Sequence, residues 1–180
     1  MKADELIKLY ESGKRHFQGS ELNGANLSDA VLSEVNLSDA NLSEAILIMA
    51  DLRKANLSGA NLSEAILIGV NLSGANLNGA DLNLADLSGA DLSLTDLGQA
   101  SLIGAFLSKA TLNEADLSKA NLNAADLNKA DLSKANLKAA DLSKADLRKA
   151  DLSEAEVTDE QLAQAWLLTG ATLPDGARYD

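Results

Sequence analysis

The sequence predicts an all-β solenoid with four sides per turn, and three observations carry that expectation. Leucine recurs at every fifth position from Leu22 to Leu152, 27 times without a miss. The residue two places before the next leucine, from position 25 to 155, is alanine in 24 of 27 cases, interrupted only by Val35, Val70 and Thr95. The residue just before each leucine is mostly Asp or Asn, as at Asn26, Asn36, Asp51, Asp81 and Asp131. A period of five suits neither a helix, which returns a face every ~3.6 residues, nor a strand, which does so every ~2. If the leucine and the alanine point inward and the other three residues outward, each pentapeptide becomes a short extended side followed by a corner, and four sides close a square. Stacking at the ~4.8 Å spacing of neighbouring strands then gives a rod roughly 32 Å long.

Each element follows in chain order. Residues 3 to 12 read as a short amphipathic helix with Leu6, Leu9 and Tyr10 on one face and Gly13 as its stop. Phe17 lies five before Leu22, in the register of the leucine column, and begins the first turn. Through the array the leucine fills the axis. The alanine is small because four residues crowd each layer, and the Asp or Asn bonds backbone N–H groups at the corner. After the array, Thr158 and Gln161 form a capping box that opens a helix through Leu168, stopping before Gly170. Leu162, Ala165 and Trp166 share a face of that helix. Leu162 and Trp166 are therefore candidates either to cover the last open layer or to make a dimer contact. The expected division is residues 1–16 as N-terminal helical cap, 17–156 as β-helix and 157–180 as C-terminal helical cap and tail.

Tandem segments such as Ala80-Asp81-Leu82-Asn83-Leu84 and Ala130-Asp131-Leu132-Ser133-Lys134 resemble the pentapeptide repeat family, and the resemblance covers residues 20 to 155. It implies a right-handed quadrilateral β-helix of about seven turns. The flanks, Leu6 to Phe17 and Leu173-Pro174-Asp175-Gly176, are similar to those of cyanobacterial members. Some family members are understood to mimic duplex DNA and bind DNA gyrase, so the resemblance also brings that function into view.

Composition excludes much else. There is no cysteine, hence no disulfide and no Cys-ligated metal, and the single histidine, His16, has no partner for nucleophilic chemistry. The serines are periodic turn residues, the carboxylates are corner residues, and no glycine-rich phosphate loop is present. The expectation is a non-enzymatic protein with no catalytic residue, no cofactor and no metal. Neither a secretory signal nor a membrane span is apparent, which makes the cytoplasm the expected compartment.

The net charge of −12 is unevenly spread: −9 over residues 16 to 108, +2 over 109 to 149 and −6 over 150 to 180. Direct nucleic-acid binding is not expected of so acidic a chain. In the acidic stretch the charge per unit length approaches that of duplex DNA, about one per 2.5 Å against about one per 1.7 Å. The positive stretch interrupts it, and leucine stands where gyrase-binding relatives commonly carry phenylalanine. A spacing of 20 places Glu34 beside Lys54, and Glu114, Lys134 and Glu154 in one column, so cross-turn ion pairs are expected. Lys109, Lys129 and Lys149 form a like-charged ladder instead. One face breaks the Asp/Ser rule with Ile46, Ile48, Met49, Ile66, Ile68 and Phe106. This face is the candidate contact surface for another protein or a second copy, the alternatives being a stacked ladder that only strengthens the sheet or a patch covered by the N-terminal segment.

Overall fold

The computed structural model describes residues 1–180. Parallel bridges join each residue before a leucine to the residue 20 positions on, from His16 with Asn36 to Asn136 with Glu156. The bridges fall into four columns per turn of chain, so every pentapeptide is one side of a square coil. The leucines from Leu22 to Leu152 are buried, as are nearly all of the alanine column with Val35, Val70 and Thr95. Thr95 brings a hydroxyl into the core, and it donates to Leu72 O at 3.2 Å.

Backbone hydrogen bonds explain why this five-residue unit is self-consistent. In the unit Ile46 to Ala50, Leu47 N–H donates to Ile66 O at 2.7 Å and Met49 N–H to Ile68 O at 3.0 Å. Ile46 N–H donates back to Ala25 O at 2.9 Å, and Ala50 N–H closes the corner onto Leu47 O at 3.1 Å. The fifth donor, one residue after the leucine, is left to a side chain. Ser43 N–H meets Asn41 Oδ1 at 3.2 Å and Ser93 N–H meets Asp91 Oδ1 at 3.0 Å. The Asp/Asn column thus completes the accounting of backbone donors. The second corner residue has positive φ throughout, for example 56° at Met49 and 61° at Lys129.

The N-terminal helix α1, Ala3–Glu11, buries Leu6 against the hydrophobic core, and Phe17 is buried in the leucine column. It is tied to the first coils by the Met1 ammonium donating to Glu21 O at 2.8 Å and Tyr10 Oη to Ser33 O at 2.9 Å. At the other end α2 comprises only Asp159–Leu162. The capping box forms as expected, and Gln161 Nε2 also donates to Leu137 O and Ala140 O, each at 2.8 Å. The helix does not continue to Leu168. A single helical turn has little stability of its own, while the open edge of the last coil offers sheet bonds. The chain takes these instead, with Trp166 N–H donating to Ala145 O at 2.9 Å and Leu147 N–H to Leu167 O at 2.8 Å. The tail folds back so that Thr172 bridges Asp151 in parallel and Arg178 antiparallel.

Two expectations are corrected here. Trp166 does not cover the last layer. It is 74 % exposed, whereas Leu162 is buried, with Ala165, Leu168 and Leu173 packed against the same core. Glu34 with Lys54, and Glu114 with Lys134 and Glu154, do not form ion pairs. The three salt bridges are Arg53–Asp51, Lys138–Glu156 and Arg148–Asp146. Exposed pairs gain little Coulomb energy against the entropy of fixing two long side chains, so shared columns do not enforce contact.

Candidate interaction face

One side of the square carries the bridge column Asn26, Ile46, Ile66, Asp86, Phe106, Asp126 and Asp146. At Asn26, Asp86, Asp126 and Asp146 the side chain accepts the N–H two residues on, at Ser28, Ser88, Asn128 and Arg148. At Ile46, Ile66 and Phe106 no such acceptor exists, and the N–H groups of Ile48, Ile68 and Ser108 have no protein partner. Isoleucine here therefore costs a hydrogen bond that the consensus residue would make. In return the face presents apolar surface: Ile66 is 36 % exposed, Ile68 40 %, Met49 63 % and Phe106 49 %, with Ile46 and Ile48 half-buried. Met49 lies over the next corner. A Cβ on Gly69, whose φ is +63°, would sit 2.6 Å from Met49 Sδ, so only glycine admits the thioether there.

The strip is not covered by the N-terminal segment. Its hydrogen bonds run to Glu21 and Ser33, one on the preceding side and the other on the following side of the square.

Farther along, the same face changes character. Arg148 reaches Asp146 through paired guanidinium hydrogen bonds, chiefly responsible for holding the Asp146 carboxyl below its ordinary range. Arg53 does the same for Asp51 on a neighbouring side. The corner beyond Asp126 carries the ladder Lys109, Lys129 and Lys149, none of which forms a salt bridge. The face ends on Trp166 and Leu167: Trp166 N–H donates to Ala145 O, while Leu167 bridges Asp146, one residue beyond the 20-residue register. Helical periodicity hides this placement, and the repeat arithmetic reaches it only to within a one-residue slip. Between Asp126, Asp146, Lys144 and the Trp166 indole lies a cavity of about 580 Å³. No group of three or more His, Asp or Glu side chains gathers as a metal site would require, and no helix is long and apolar enough to cross a membrane.

A parallel coil with a 20-residue register, a leucine axis and Asx-closed corners defines a β-solenoid built from five-residue repeats. The chain belongs to the pentapeptide repeat family: the family profile, described as Pentapeptide repeats (8 copies), matches residues 16–47, 55–93, 90–128 and 115–154. No curated protein matches it. Among solved structures, the chain is similar to a trypsin-treated variant of QnrB1, a plasmid-mediated fluoroquinolone resistance protein, with 25% identity over 89% of this chain and 80% of that one, at a TM-score of 0.81. It is also similar to the pentapeptide repeat protein Rfr23 from the cyanobacterium Cyanothece 51142, with 31% identity over 62% of this chain and 88% of that one, at a TM-score of 0.58. HetL, a pentapeptide repeat protein involved in heterocyst differentiation regulation from Nostoc sp. Strain PCC 7120, is 32% identical over 99% of this chain and 100% of that one, with a TM-score of 0.39. Membership of this family makes the fold a right-handed quadrilateral β-helix.

Proposed function

We propose that the chain is a non-enzymatic, cytoplasmic interaction or scaffold module, a rod of about seven coils closed at both ends by helical segments. Its isoleucine face, Ile46, Ile48, Met49, Ile66, Ile68 and Phe106, docks another protein. The observation that carries this reading is the pairing of exposed apolar side chains with the partnerless amides of Ile48 and Ile68. A strip selected only for stability would retain the Asx bonds that Asn26, Asp86, Asp126 and Asp146 make on the same face. A docking strip gains apolar contact together with two main-chain donors that a partner's carbonyls satisfy. A second copy of the chain is the other occupant the strip suits, with Leu162 and the exposed Trp166 as a separate dimer contact. The flanking segments and the likeness to Rfr23 favour a cyanobacterial source.

The test is affinity capture from lysate with the wild type and with Ile48→Lys/Ile68→Lys, beside thermal melts of both. The expected result is an unchanged melting temperature and loss of one specific captured protein, or of self-association. A large fall in melting temperature would assign the strip to sheet stability instead.

A second reading rests on the acidic coils from 16 to 108 and the likeness to QnrB1: a DNA-mimicking rod that binds DNA gyrase. Inhibition of gyrase supercoiling by the purified chain, unaffected by the double isoleucine variant, would favour this reading over the first.

A further inference from the structure

The far half of the same face holds a second, chemically different site that does not depend on the isoleucine strip. The cavity between Asp126, Asp146, Lys144 and Trp166 has an exposed indole as one wall and the Ala124–Ala125 corner along another. Phe106, the last residue of the isoleucine strip, bridges Asp126 one coil before the cavity and lies outside its lining. Cations flank it on both corners. Lys144 lines it on one side, and Lys109, Lys129 and Lys149 follow one another along the other, linked by Lys109 N–H to Asn128 O and Lys129 N–H to Arg148 O.

Five cations thus surround two carboxylates. Asp146 is neutralised by Arg148, and Asp126 accepts the amide of Asn128. The ladder itself is costly in the free protein, because like charges repeat at about 4.8 Å and each lysine holds a positive φ. No carboxylate of the chain relieves it. On a chain of net charge −12 this local excess of positive charge is the exception.

We infer that this half of the face binds an acidic segment of another protein, one apolar side chain of which enters the cavity against Trp166 while carboxylates on either side of it pair with Lys144 and with the lysine ladder. The apolar anchor supplies affinity through burial against an exposed aromatic, and the flanking charges set orientation and on-rate. A basic segment is disfavoured by the flanking cations. A nucleic acid would meet the two floor carboxylates with nothing to compensate them.

Trp166 is the sole tryptophan, so its emission reads the site directly. The probe is the acetylated, amidated peptide Glu-Glu-Phe-Glu-Glu, titrated into the full chain. Expected are a blue shift of Trp166 emission, protection from iodide quenching, and weakening by added salt. The Lys109→Glu/Lys129→Glu/Lys149→Glu variant, with its melting temperature unchanged, should bind about tenfold more weakly or worse. Ile48→Lys/Ile68→Lys should bind the peptide as the wild type does, which separates this site from the isoleucine strip whatever becomes of that reading. The inference is overturned by no shift at millimolar peptide, by equal affinity in the triple-lysine variant, by loss of binding in the isoleucine variant, or by an equal shift with Lys-Lys-Phe-Lys-Lys or a single-stranded oligonucleotide.

Discussion

The two halves of the Ile46–Trp166 face share one backbone and differ in almost everything a partner would meet. In the first, apolar residues displace the Asx column and leave amides of Ile48 and Ile68 free. In the second, Asp126 and Asp146 keep their Asx bonds and the corner turns cationic. Yet Leu47, Leu67, Leu127 and Leu147 are equally buried beneath them, and the inter-coil bonds stay at 2.7–2.8 Å from the leucine amides in both. The inward columns alone set the coil, and the outward residues are free to be spent on recognition.

The sharpest way to break that separation is to exchange the roles of neighbouring positions. Leu87→Lys places an ammonium in the axis midway between the two halves, and the expected outcome is loss of any cooperative thermal transition. Ser88→Lys beside it should shift stability by less than ~0.5 kcal/mol. Comparable effects at the two sites would show that the inward and outward columns are not independent.

A smaller effect is expected at the corners, where the halves use the same slot differently. Gly69→Ala in the apolar half meets both a φ of +63° and the sulfur of Met49, and should cost about 1–2 kcal/mol in denaturant unfolding. Lys129→Gly in the cationic half relieves positive φ and two like-charge neighbours, Lys109 and Lys149. It should stabilise the rod by up to about 1 kcal/mol, the residual loss being the entropy of a new glycine. A destabilised Lys129→Gly would mean that the ladder contributes to the fold, contrary to its assignment as a recognition element.

The smallest effect concerns acid. Asp51 and Asp146 have carboxyls held below the ordinary value of 3.8 by Arg53 and Arg148. A depressed folded-state pKa gives stability that is complete above the unfolded pKa and is lost as pH falls through the folded one. The melting temperature should therefore be level above about pH 5 and decline below about pH 4, and less steeply in Arg53→Met/Arg148→Met. An identical decline in that variant would place the acid sensitivity elsewhere among the corner carboxylates.

Much of this was legible in the sequence because the repeat is a nearly complete code. Leu87 at the axis, Thr95 in the small column, Asp91 at its corner and the capping box at Thr158 and Gln161 each follow from residue type and spacing. The departures from the code were harder. Ile46 and Ile66 announce an anomaly, but the partnerless amides that give it meaning emerge only when the destination of every N–H is known. Leu162, Ala165 and Trp166 also satisfy a helical period, and that pattern puts Trp166 on a helix face it does not occupy. An unpaired sheet edge at Ala145 and Leu147 outweighs that local pattern, and no local pattern reports such an edge. The lysine ladder was visible as arithmetic, but the cavity beside it depends on where the chain lands after α2.

The 20-residue register has one more consequence, for how such a chain can change over generations. Gain or loss of a whole coil alters length and keeps every column in phase, so the isoleucine strip and the lysine ladder would move apart or together along one edge. Gain or loss of a single pentapeptide between them leaves the axis equally well filled but rotates everything downstream by a quarter turn. The two surfaces would then look in different directions on an equally stable rod, so that partner geometry can be rewired by slippage in a repetitive gene without passing through an unfolded intermediate.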